Sequence, residues 1–128
     1  MIDPDVIDQV IAEYFDKRVD YEANSLQENY PDGEDVEVFS FDALFRAWNE
    51  TKTSSEREHV TPYIRKNIFF KKVNVANKID LGRQRWTLDE PCDLEKLSVI
   101  FDALYKKDPF FIWRMSCIFS IRIHRSKE

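Results

Sequence analysis

Glycine is nearly absent from this chain: there are two in 128 residues, Gly33 and Gly82. A nucleotide phosphate loop uses several glycines so that backbone N–H groups can close on the anion, and neither glycine sits in such a cluster. Cysteine is equally scarce. Cys92 and Cys117 lie far apart with no C-x-x-C spacing, which argues against a zinc ribbon or disulfide framework and for a reduced, cytoplasmic protein. Long apolar runs are missing too. The most apolar stretch, near the C-terminus, is interrupted by Arg114 and falls short of the roughly 20 residues that span a bilayer. Basic residues are outnumbered 19 to 24, for a net charge of -5, which argues against a general nucleic-acid or acidic-membrane partner. There is no Walker loop, Ser-His-Asp order, internal repeat or low-complexity tract. The N-terminus is charged and helical from the start, unlike a signal peptide.

What remains is ordinary for one globular domain: 43% hydrophobic residues, 34% charged residues and ten Phe. The stretch from Arg85 to Glu95 organises the rest. Arg85 to Leu88 alternates polar and apolar residues around the β-formers Trp86 and Thr87, which predicts a short strand. Pro91 suits the first position of a helix. Asp93 and Glu95 put negative charge at the positive end of its dipole, and Leu94, Leu97, Phe101 and Leu104 recur at helical spacing to about Lys106. Asp89 is thus expected at the carboxyl end of a strand, the edge at which open α/β sheets bind ligands. Cys92 reads as a small surface or packing residue.

In chain order, Asp3 and Pro4 open a helix whose stripe is Val6, Ile7, Val10, Ile11, Tyr14 and Phe15. Asp20 to Leu26 reads as a strand, with Asn24 a strand-end residue suited to a turn. Pro31-Asp32-Gly33 is a turn signal. Val36 to Phe39 forms a second strand. Asp35 and Glu37, two residues apart, project their carboxylates to one face, either a solvated edge or a pair able to bind sugar hydroxyls or assist a metal. Ser40 caps a helix with Phe41, Leu44, Phe45 and Trp48 on its inner face. Ser55 and Glu58 fit a capping box. Arg57 suits a bidentate pair with a carboxylate or phosphate, or a plain surface pair. His59 can donate to a sugar oxygen or be partly buried. Pro62 forces a bend and a new short helix to Asn67. Phe69 to Val75 has strand character, and 77–82 is a polar connection.

Three stretches carry a resemblance. Arg85-Trp86-Thr87-Leu88-Asp89-Glu90-Pro91-Cys92-Asp93-Leu94-Glu95 resembles the R-x-T-V-D-T-P-E-D-L-E signature of cytidylyltransferase-like sugar nucleotidyltransferases. Residues 30–40, Tyr-Pro-Asp-Gly-Glu-Asp-Val-Glu-Val-Phe-Ser, and 55–64, Ser-Glu-Arg-Glu-His-Val-Thr-Pro-Tyr-Ile, agree in the same order. The similarity is to the spore coat polysaccharide biosynthesis protein F family, relatives of the CMP-sialate and CMP-KDO synthetases.

The resemblance implies the C-terminal part of an α/β, nucleotide-diphospho-sugar transferase-like fold (Rossmann-like, GT-A, three-layer) over 1–108, followed by a divergent, irregular tail over 109–128. It implies activation of a sugar or sugar acid with a cytidine nucleotide for surface polysaccharide biosynthesis. By the same resemblance Asp89 is a ligand of Mg2+, and Asn24, Asp35, Glu37, Arg57 and His59 line the sugar side. No catalytic residue is assigned. Glu90 stands where the family has Thr and is expected to cap the helix less well. The family's opening strand and basic phosphate loop have no counterpart here. The chain is therefore expected to be inactive alone, as the C-terminal half of an enzyme. The other reading is a non-catalytic module that docks an N-terminal half, or a second copy of itself, through an exposed sheet edge.

Overall fold

Tyr21, Glu22 and Ala23 are all buried, so the strand they form must be covered on both faces, and the fold is built around meeting that demand. The computed structural model describes residues 3–106; the tail 109–128 lies outside them. The chain runs α1 (Pro4–Lys17), β1 (Tyr21–Ala23), β2 (Glu37–Phe39), α2 (Phe41–Glu50), α3 (Ser54–Glu58), α4 (Pro62–Lys66), β3 (Lys72–Asn74) and α5 (Pro91–Tyr105). β1 is the central strand of a three-stranded sheet of order β2-β1-β3. β2 pairs with it antiparallel, Tyr21 opposite Phe39, and β3 pairs parallel, Tyr21 opposite Lys72. The strand predicted over residues 20–26 is thus three residues long.

Alternation along β1 sends side chains into two cores. Tyr21 and Ala23 meet Ala43, Ala47, Ile64 and Phe70 from the side of α2 and α4. The opposite core joins Val6 and Val10 of α1 to Val36, Val75, Trp86 and to Ile100 and Leu104 of α5. Glu22 faces α1 and is fully buried; Lys17 Nζ lies 3.0 Å from its Oε1 and also bonds Glu13. A buried carboxylate without such a cation would be strongly destabilising.

Local signals explain most helix ends. Asp3 Oδ1 accepts from the Asp5 N–H at 2.9 Å, with Pro4 in the first turn. Ser40 Oγ accepts from the Ala43 N–H at 3.0 Å. Pro62 begins α4, as the predicted bend required. The capping box placed at Ser55 falls two residues earlier. Thr53 is the cap, its Oγ1 accepting from the Glu56 N–H and donating to Glu56 Oε2.

Two helix faces differ from expectation. In α2 the buried residues are Ala43 and Ala47, while Phe41, Phe45 and Trp48 are 77%, 58% and 60% exposed. Ala43 and Ala47 join the core of Tyr21, Ala23, Ile64 and Phe70, where α2 packs on α4, and the large residues turn outward. In α5 the inner stripe is Leu97, Ile100 and Leu104; Leu94 and Phe101 are exposed. In α1, Val6 and Val10 face inward and Phe15 outward. No helix of the described residues is long and apolar enough to cross a membrane.

Gly33 has φ +94°, and a Cβ there would lie 2.9 Å from Thr87 N and from Trp86 C. Its place therefore needs both a left-handed backbone and no side chain. Next to it, burial followed by the neighbouring Asp3 carboxylate pushes Glu34 up to about 7. An acid whose pKa is raised by folding supports the fold fully below its unfolded value near 4.5. That support is lost as pH rises to about 7, at roughly 1.4 kcal/mol for each pH unit between the two values. Glu34→Gln is expected to lose less stability between about pH 5 and pH 8 than the wild type in urea denaturation; identical slopes would contradict this. Val60, between α3 and α4, has φ 63°, a conformation that costs a non-glycine residue ~1–2 kcal/mol. Val60→Gly is expected to raise stability by about 1 kcal/mol, measured the same way, whereas the usual loss for a glycine substitution would show that the turn is unstrained.

Candidate functional site

The parallel pair β1–β3 fixes a carboxyl edge, and the chain gathers its polar side chains there. β1 leads directly into Asn24 and Ser25. The antiparallel β2 begins at the same edge with Asp35 and Glu37. The connecting loop returns Glu28, Tyr30 and Asp32, and α4 adds Arg65. Asn24, Ser25, Glu28, Tyr30, Asp32, Asp35, Arg65 and Gly82 enclose a cavity of about 300 Å³. A second, of about 690 Å³, is lined by Leu26, Glu37, Ser55, His59, Thr61, Pro62, Arg65 and Lys66. Both volumes suit small-molecule sites.

Arg65 is shared by the two cavities. Its Nη2 donates to the Ser25 carbonyl at 2.8 Å and its Nη1 lies 3.3 Å from Glu37 Oε1. The first cavity is acidic. Burial raises Asp35 above its usual carboxylate range, and Asp32 adds to this while Arg65 opposes it. Burial likewise raises the Tyr21 hydroxyl, helped by the nearby Glu37 carboxylate.

The sites predicted from sequence separate into groups. Asp35, Glu37 and His59 come together around Arg65. Asn24 lines the first cavity but spends its amide on the backbone. Its Nδ2 donates to Glu34 O at 2.9 Å and its Oδ1 accepts from the Val36 N–H at 2.7 Å, pinning the loop that presents Asp35. Arg57 lies elsewhere. It stacks 4.3 Å over the Trp48 ring and donates to the Trp48 and Thr51 carbonyls at 3.4 Å, lining a separate 140 Å³ cavity with Leu44 and Val60. Arg65 and Lys66 had no signal in the sequence, because the partners of Arg65 are 28 and 40 residues away.

Asp89 does not end a strand. The predicted strand 85–88 reduces to one bridge, Asp32 to Arg85, closed by Trp86 N–H to Asp32 O at 2.8 Å. The Pro31-Asp32-Gly33 turn can offer only one pairing residue. What fixes Asp89 is Asp93, whose Oδ2 accepts from the Asp89 and Glu90 N–H groups at 3.1 Å and from Arg85 Nη2 at 3.0 Å. The Arg85 bond, then the backbone donors, hold Asp93 below its usual range. This clamp serves the helix start that Glu90 was expected to weaken. The Asp89 carboxylate is exposed, one oxygen 3.3 Å from Arg85. Among the described residues no three His, Cys, Asp or Glu side chains gather to hold a metal ion. These residues alone therefore do not form a complete divalent-cation site; Asp89 offers one carboxylate. Cys92 is exposed.

No protein-family model matches the chain. Uncharacterized protein MJ1063 of Methanocaldococcus jannaschii is 43% identical over 60 residues, 43% of this chain and 25% of that protein. A cytidylyltransferase from Leptospira borgpetersenii serovar Hardjo-bovis (strain JB197) matches 98% of this chain, with a TM-score of 0.85 and 26% identity, and the match takes in 52% of its own chain. The chain thus spans about half the length of its solved relative and a quarter of its curated one. Its mixed α/β fold, with a small three-stranded sheet, is similar to about half of a cytidylyltransferase.

Proposed function

We propose that this chain is the sugar-side part of a nucleotidyltransferase that activates a sugar or sugar acid with a cytidine nucleotide for surface polysaccharide biosynthesis. The observation that carries this reading is the fold match over 98% of the chain, with two polar cavities at the carboxyl edge of the sheet. In the reaction a sugar hydroxyl attacks the α-phosphorus of cytidine triphosphate, and the bond to pyrophosphate breaks. Asp35 and Glu37 accept hydrogen bonds from sugar hydroxyls, and His59 donates to a sugar oxygen. Asn24 holds the loop that carries Asp35. Bound Mg2+ would neutralise phosphate charge. Asp89 would supply one of its oxygen ligands, the others coming from phosphate, water and groups beyond these 128 residues.

Neither glycine lies in a Gly-rich phosphate cradle, so the chain alone should turn over little. Pyrophosphate release from cytidine triphosphate with candidate sugars is expected at background, and robust release would contradict this. Mg2+ titration in the presence of the nucleotide should show binding weakened about tenfold by Asp89→Asn, the loss of one charged ligand. Equal binding would remove the metal role.

A second reading is favoured by two observations: Phe41, Phe45, Trp48 and Phe69 are exposed, and β2 and β3 are the edge strands of the described sheet. Such surfaces fit an interaction module that docks a second copy or a complementary half. A monodisperse monomer in light scattering would weaken it.

A further inference from the structure

We infer that the outer flank of α5 is the docking surface for the chain's own basic, aromatic C-terminal segment, residues 110–123. The inference does not depend on the reaction proposed above. Helical spacing builds the flank. Asp93, Leu97, Ile100 and Leu104 face inward. About a quarter turn away stand Leu94, Phe101 and Tyr105, at i, i+7 and i+11. All three are exposed, and the Phe101 and Tyr105 rings stack with centroids 4.6 Å apart. The row offers on the order of 300 Å² of apolar surface, a size at which such patches are often binding sites.

Charge says what covers it. Glu95 and Asp102 follow Leu94 and Phe101 on the solvent side, and both are exposed. Lys96, the single cation within α5, lies on the other flank, 4.9 Å over the Trp86 ring, and donates to the Arg85 carbonyl. The last turn of α5 has no basic residue, so the negative end of its dipole is left for a cation that follows. Of the chain's 19 basic and 24 acidic residues, 107–128 hold five and two. Residues 1–106 are therefore net -8 and the segment after them net +3. Nine of the fourteen residues 110–123 are Phe, Ile, Trp or Met. The segment thus matches the flank in both polarity and charge.

Length and position agree. The segment begins where α5 ends, at Lys106. Pro109 is the residue type that cannot continue a helix and turns the chain aside. α5 is about 22 Å long, whereas 22 residues extend to about 70 Å, so a return along the whole helix is well within reach. Tethering also holds the segment at an effective concentration on the order of millimolar. The other aromatic face, on α2, suits it less. Guanidinium groups already cover its rings, Arg46 at 5.2 Å from Phe69 and Arg57 at 4.3 Å from Trp48.

The two cysteines make a direct test in the full 128-residue chain. Cys92, which is exposed, is removed by Cys92→Ser, and a nitroxide spin label is attached to Cys117. Docking should broaden the amide signals of Leu94, Phe101 and Tyr105 several-fold more than those of Phe41, Phe45 and Trp48. Leu94→Asp should abolish that excess, with unchanged Tyr21 and Ile64 amides showing that the core is intact. Phe45→Asp, the matching change on α2, should leave it. In the unlabelled chain, Arg122→Glu should shift the Leu94 and Tyr105 amides, and Lys52→Glu should not. Equal or weaker broadening of α5 than of α2, or an excess that survives Leu94→Asp, would overturn the docking. A mixture of spin-labelled chain with unlabelled, nitrogen-15-enriched chain tests for a second copy. Broadening of α5 in that mixture would assign the flank to another molecule's segment and overturn the intramolecular contact.

Discussion

The structure depends on the complete burial of β1. A strand that presents Tyr21 and Ala23 to one side and Glu22 to the other needs helices on both faces. Each consequence follows in turn. α2 contributes alanines to the core that covers Tyr21 and Ala23. Glu22 must have Lys17 beside it. Asn24, itself buried, and Ser25 follow the strand at its carboxyl end. That edge is where the two cavities form.

Arg65 ties the elements of this edge together. One guanidinium holds the chain just past β1 through the Ser25 carbonyl and the start of β2 through Glu37. It therefore sets the spacing between the acidic cavity and the one lined by His59 and Lys66. The clamp at the head of α5 does comparable work further along. Asp93 collects Arg85 and two backbone N–H groups, so Asp89 sits in a hydrogen-bonded loop rather than on a strand. The two devices are made of different residues. They share the principle that a charged side chain with several hydrogen bonds fixes a segment that nearby backbone pairing does not.

Much of the fold was legible because its signals are local. Asp3, Ser40 and Pro62 act within one turn of themselves, and Gly33 declares its turn by lacking a side chain. The helix faces were less legible. α2 carries both an aromatic stripe and an alanine stripe at helical spacing, and periodicity favours the bulkier one. Only the packing of α2 on α4 and the core beneath it decides between them. The site was half legible for the same reason. Asp35, Glu37 and His59 were found from spacing and resemblance, and they do converge. Arg57 stands in the motif beside His59, yet the helical turn sends it to Trp48. Arg65 stood out by no pattern, since its meaning comes from groups remote in sequence.

The proposed function makes one claim at the polar edge of the sheet: a sugar binds beside Arg65. A crystal structure of the chain soaked with a sugar acid tests it most directly. The account predicts the sugar in the cavities beside Arg65, with its hydroxyls reaching toward Asp35 and Glu37. A ligand seated instead on the aromatic face of α2 or beside Arg57, with both cavities empty, would contradict it.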